Sequence, residues 1–176
     1  MKNGLTLSLS IFSLLLICSC DVPKNSKSKE WRKEATDAFT AKDYSKATEY
    51  YLKLTKSEDA TADDFCQLGN CYDNFGKTDL ALQNYAKALE LNPNSEWAYY
   101  ERSILYRRIK KYDKAIDDLT KAIKLYPTSF SEAYYLRGMT YVLQNKLTDA
   151  TSDFEEAIRI KPGYSAAIKA LKAIKD

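Results

Sequence analysis

Four segments of this chain repeat at a fixed interval: "AKDYSKATEYYLKLTK", "FGKTDLALQNYAKALELNP", "IKKYDKAIDDLTKAIKLYP" and "QNKLTDATSDFEEAIRIKP". In this register Ala47, Ala81, Ala115 and Ala150 fall 34, 34 and 35 residues apart. Pro93, Pro127 and Pro162 follow at 34 and 35, and Ala35, Gly69, Ser103 and Gly138 at 34, 34 and 35. The one extra residue falls near Phe130. Within each unit apolar residues recur every three or four positions, as in Ala81, Leu82, Tyr85, Ala88 and Leu89, which is one face of a helix. Each unit therefore reads as two helices joined by a short polar turn, such as "GKTD" around Gly76. A lone hairpin cannot bury its apolar face, so such units must stack on one another.

Local signals agree with this reading. The chain has 5 Gly and 4 Pro in 176 residues, a balance that favours helix. Ser129 with Glu132 is read as a capping box, and Thr61 with Asp64 as an approximate one. The small residues Gly69 and Ala81 let two helices of a hairpin approach closely. Proline after the second helix of units two to four stops it and turns the chain. The last segment, "SAAIKALKAIKD", reads as a closing helix. Ile168, Leu171 and Ile174 would cover the fourth unit, with Lys169, Lys172 and Lys175 toward water.

The repeat resembles the tetratricopeptide repeat, whose signature is an aromatic, Leu-Gly, Tyr, then Ala, aromatic, Ala and Pro. The second unit supplies Phe65, Leu68, Gly69, Tyr72, Ala81, Tyr85, Ala88 and Pro93. The third supplies Tyr99, Ser103, Tyr106, Ala115, Leu119, Ala122 and Pro127, and the fourth Tyr134, Gly138, Tyr141, Ala150, Phe154, Ala157 and Pro162. The first is divergent. It keeps Trp31, Ala35, Tyr44, Ala47 and Tyr51, and has Asp59 where proline is expected. The resemblance implies an all-α, right-handed solenoid of about four hairpins at 29–61, 62–95, 96–130 and 131–164, with a capping helix at 165–176.

The N-terminus carries a different signal. "MKNGLTLSLSIFSLLLICSC" has an early cation, Lys2, and then a short apolar run, the layout of a secretory signal. Its ending, Ile17-Cys18-Ser19-Cys20, resembles the lipobox of bacterial lipoproteins. That resemblance implies a signal peptide over 1–19, cleavage after Ser19 and lipid on Cys20, anchoring the chain to a bacterial membrane, facing the periplasm. Residues 20–28 are read as the lipidated cysteine and a polar tether. Asp21 directly after that cysteine resembles an inner-membrane retention signal whose rule varies between bacterial groups, so inner and outer membrane both stay open. A plain secretory signal and a single short span stay open as alternatives.

With no histidine in the chain, Ser-His-Asp and Cys-His catalysis and His-based zinc sites are excluded. No phosphate loop or nucleophile elbow is present. The expectation is a non-enzyme without cofactor or metal. Cys66 and Cys71 stand five apart on one helix, roughly 140° and 7.5 Å from each other, beyond the separation a disulfide tolerates. A net charge of +3 and a basic stretch, "YRRIKKYDK", placed at a helix end and turn give no reason to expect nucleic acid.

In tetratricopeptide arrays the first helix of each unit lines a concave groove. The ligand-facing positions carry Lys29, Arg32, Thr36, Phe39 and Thr40 in unit one, and Asp63, Cys66, Asn70, Asp73 and Asn74 in unit two. Units three and four are more apolar there, and Trp97, Tyr100, Ile104, Arg107, Arg108, Tyr135, Met139 and Leu143 form the candidate groove. One subfamily clamps the terminal carboxylate of chaperones with Lys, Asn and Arg. Here those positions hold Arg32, Thr36, Gln67, Trp97 and Glu101, so that ligand class is not expected. The function expected is a membrane-anchored adaptor that binds a protein or peptide segment of the cell envelope. A homo-oligomeric envelope lipoprotein using the same strip, and a thiol-dependent redox protein, are the alternatives.

Overall fold

The computed structural model describes residues 24–175; Cys20 and the leader fall outside them. Nine α-helices and no strand occur among the described residues: α1 (Lys24–Thr40), α2 (Tyr44–Thr55), α3 (Ala62–Asn74), α4 (Thr78–Leu91), α5 (Glu96–Arg108), α6 (Tyr112–Leu125), α7 (Ser131–Leu143), α8 (Leu147–Ile160) and α9 (Ser165–Lys175). Helices α1 to α8 pair into four hairpins, each packed on the next, and α9 closes the last. This is a solenoid of helical hairpins.

The turn inside every hairpin is built the same way. Lys42, Gly76, Lys110 and Asn145 all adopt positive φ, between 59° and 68°. The following amide donates back to the first helix each time: Asp43 to Ala38, Lys77 to Tyr72, Lys111 to Tyr106 and Lys146 to Tyr141, at 2.8–2.9 Å. These are Schellman closures, which need a left-handed residue at that place. Only one unit uses glycine there; lysine or asparagine accepts the strain in the others.

Inside the second and fourth hairpins a glycine faces a large residue sixteen positions on. A Cβ added at Gly69 would lie 2.8 Å from the Tyr85 ring, and one at Gly138 2.7 Å from Phe154. Ala47, Ala81, Ala115 and Ala150 are fully buried. The core forms three clusters along the stack, around Tyr51 and Leu54, Tyr85 and Leu105, and Leu119 and Leu136, and the half-buried Tyr72 and Tyr99 bridge them.

Thr61 forms the full capping box: its hydroxyl accepts from the Asp64 amide, and the Asp64 carboxylate accepts from the Thr61 amide at 2.9 Å. Three local expectations are corrected. Ser129 does not cap α7. Its N-cap is Phe130, without a side-chain cap, because that inserted residue is drawn into the core beside Trp97 and Tyr100. Helix α1 begins at Lys24, inside the stretch read as tether. Ser28 is buried and donates to Asp59 at 2.8 Å, so a tertiary partner overrides weak helix propensity. In α9 it is Ala167 that is fully buried, while Ile168 stays 44% exposed; the close approach to α8 selects the smaller side chain.

Candidate partner-binding groove

The eight residues expected to form a groove lie on α5 and α7 and differ in their surroundings. Trp97 and Tyr100 of α5 meet Phe130 in an aromatic wedge between units three and four, with ring centroids 5.1–5.7 Å apart. Trp97 remains 55% exposed, and burial pushes the Tyr100 phenol up to about 12. Ile104 packs half-buried against the core of Leu119, Phe130 and Leu136. Arg108 is committed to an ion pair with Asp73 of α3, tying unit three to unit two. Leu143 is 52% exposed at the end of α7.

Tyr135 and Met139 enter a distinct hollow of about 610 Å³. Val142 shares the α7 wall, Leu147 and Phe154 come from α8, and Ala166, Lys169, Ala170, Ala173 and Ile174 come from α9. Tyr135 is held in place by Phe154 and Tyr164, at 5.8 and 5.2 Å between ring centroids. The hollow is walled on the α9 side by small alanines, which leaves the Tyr135 and Met139 side chains half-buried. A half-buried apolar cleft of this size suits bulky side chains of a ligand. The α9 wall is what the sequence reading missed. Its signal was present: Ala166, Ala170 and Ala173 lie at helical spacing on one face.

The polar half of the concave surface is largely occupied by its own contacts. The Arg32 guanidinium donates from Nε and Nη2 to the two Asp64 oxygens, at 3.0 and 2.8 Å, and also to the Asp59 carbonyl. Asn70 accepts from the Tyr85 hydroxyl. The cleft there, beside Thr36, Phe39 and Gln67, is smaller, at about 250 Å³.

Units three and four also share a latch. Arg102 donates to both oxygens of Asp118 at 2.8 Å, and Arg137 to both of Asp153 at 2.9 and 2.7 Å. Each guanidinium lies between two tyrosine rings of its own helix, Tyr99 and Tyr106 or Tyr134 and Tyr141. The matching "YYERSILY" and "YYLRGMTY" carried this signal in the sequence.

Cys66 and Cys71 are free and buried. Burial pushes the Cys66 thiol up to about 12 and the Cys71 thiol up to about 11. Both stay protonated near neutral pH, which removes the nucleophilic form a redox role requires. Unfolded thiols titrate near 8.5, so the folded state holds more protons above that pH and stability falls as pH rises toward 11. Labelling by a thiol reagent at about pH 8 is expected to be slow in the folded chain and fast in urea. Fast labelling of the folded chain would restore the redox reading.

Three family models, each described as a tetratricopeptide repeat, match residues 62–95, 97–129 and 131–164. The chain is a tetratricopeptide repeat protein. The divergent first hairpin and α9 lie outside the matched residues. The chain is 31% identical over 96 residues to small glutamine-rich tetratricopeptide repeat-containing protein 2 of Mycosarcoma maydis, covering 54% of this chain and 27% of that protein. It spans between 16% and 27% of the length of such curated relatives. Among solved structures, MamA aligns with a TM-score of 0.72 at 27% identity, covering 80% of this chain and 81% of that one. The first repeat domain of Spaghetti (RPAP3), bound to an HSP90 peptide, aligns with a TM-score of 0.62 at 29% identity, over 65% of this chain and 90% of that one. Tetratricopeptide arrays are protein-interaction scaffolds.

Proposed function

We propose that this chain is a membrane-anchored adaptor of the bacterial envelope that binds a segment of a partner protein in the hollow between α7 and α9. The observation that carries the reading is the apolar cleft lined by Tyr135, Met139, Val142 and Phe154, left open beside a closing helix. Peptide binding by the related Spaghetti domain supports the general mode. The chaperone peptide itself is not carried over, because Arg32 is already committed to Asp64 and Glu101 replaces a cation.

The lipobox-like Ile17-Cys18-Ser19-Cys20 supports the anchor. Only three residues separate Cys20 from the first residue of α1. Such a link spans at most about 14 Å, so lipid on Cys20 would hold the first hairpin against the membrane and leave the hollow at the far end. The inner membrane is favoured over the outer only by Asp21.

Affinity capture from membranes tests both parts. Tyr135→Ala combined with Met139→Ala is expected to lose the partner while keeping the helical circular-dichroism signal. Cys20→Ala is expected to leave the membrane fraction. An unchanged partner set with an intact fold would rule the groove out. A second reading rests on the exposure of Trp97 and Leu143, which could cover each other's counterparts in a homo-oligomer. Light scattering that shows a monomer at high concentration would sink it.

A further inference from the structure

Two cations at or near the hollow between α7 and α9, Lys169 in its lining and Arg107 near its Tyr135, make no ion pair among the described residues. Arg107 of α5 lies half-buried beside the Tyr100, Tyr112 and Tyr135 phenols, and Tyr135 is also a wall of the hollow. Its Nε is shut off from solvent and has no hydrogen-bond partner. Lys169 of α9 borders the hollow from the other side; it is exposed and makes no ion pair among the described residues. Several neighbouring cations are taken. Arg102 and Arg137 hold Asp118 and Asp153, Lys161 holds Glu132, and Lys175 holds Glu155.

No carboxylate among the described residues is paired with Arg107 or Lys169. Helix α9 has no acid, and Glu132, the one acid of α7, is bound by Lys161 and by the Ser131 hydroxyl; on α8 Asp153, Glu155 and Glu156 are held by Arg137, Lys175 and Arg159, which leaves Asp149 as the one acid of that wall without an ion pair. A guanidinium nitrogen buried without an acceptor is costly until one arrives. Carboxylate oxygens match a guanidinium in geometry as well as charge.

We propose that the hollow takes an amphipathic, acidic segment of a partner protein: a bulky apolar side chain enters between α7 and α9, and flanking carboxylates pair with Arg107 and Lys169. The proposal rests on the adaptor reading and adds the chemistry of the partner. Apolar burial supplies affinity, while the two cations set partner choice and association rate. A neutral segment leaves Arg107 unpaired and binds more weakly, and a basic one is repelled.

The test is fluorescence anisotropy on the full chain in detergent. The probes are three short labelled peptides with the same leucine face, flanked by Glu, by Gln or by Lys. The Glu peptide is expected to bind about tenfold tighter than the Gln peptide, and the Lys peptide not at all. Arg107→Gln should weaken the Glu peptide about tenfold, and the exposed Lys169→Gln about threefold, with no change for the Gln peptide. Ala173→Trp, which fills the hollow from an exposed position, should remove both peptides. Equal binding of the Glu and Gln peptides, lost in Ala173→Trp, overturns the acidic partner and leaves the groove adaptor standing. Absence of binding by all three peptides, or a hollow covered by a second copy of the chain in cross-linking, overturns the proposal outright.

Discussion

Asp153→Ala is expected to lower the unfolding free energy by about 3–5 kcal/mol, among the largest losses from a single substitution in this chain. The carboxylate is nearly buried, with the side chain 6% exposed, and its partner Arg137 is 16% exposed. Removing it strands a guanidinium between Tyr134 and Tyr141, where water reaches it poorly. Arg137 also donates to Thr120 of α6 at 3.0 Å, so the lost order spreads to the joint between units three and four. The pair's net worth is smaller than this loss, because both charges were desolvated to form it. Arg137→Met combined with Asp153→Ala should therefore recover a large part of the stability. Urea unfolding of the two single variants and the double variant measures the coupling. A near-additive cycle would show the latch to be a surface pair of little energy.

Phe154→Ala is expected to cost about 3–5 kcal/mol and to free α9 before the rest of the array. Phe154 is fully buried and is the large partner that Gly138 makes room for. Its ring also supports Tyr135 from below and forms part of the hollow. The loss therefore falls on stability and on the binding surface together. In a solenoid each unit touches only its neighbours, so a defect in the last unit weakens the end of the stack most. Hydrogen exchange should show α9 amides losing protection while α3 and α4 amides keep theirs. Equal loss along all helices would mean that the array unfolds as one block. Phe154→Leu, which keeps most of the volume, should cost far less.

Much of this architecture was legible because the repeat imposes it. The spacing of Ala47, Ala81, Ala115 and Ala150 gave the hairpins, and Thr61 with Asp64 gave a helix start that the structure keeps. What the repeat did not determine lies where units depart from each other. Phe130 is the inserted residue, and its burial moved the start of α7 away from Ser129. Ser28 joined α1 through Asp59, thirty-one residues away, a contact local propensity cannot see. The residues expected to line a groove meet different surroundings. Tyr135 and Met139 line the hollow, whereas Arg108 serves Asp73 and Ile104 serves the core. Side chains at equivalent repeat positions differ in partner because each faces a different neighbouring unit.

The central claim is that a partner sits between α7 and α9. Site-specific photo-cross-linking in membranes tests it most directly, with a photoreactive residue at exposed Ala173 beside the hollow and a control at exposed Ser45 on α2. The adaptor account predicts one dominant adduct with a different protein from position 173 and none from position 45. Adducts of the same kind from both positions, or only chain-to-chain dimers from position 173, would contradict it.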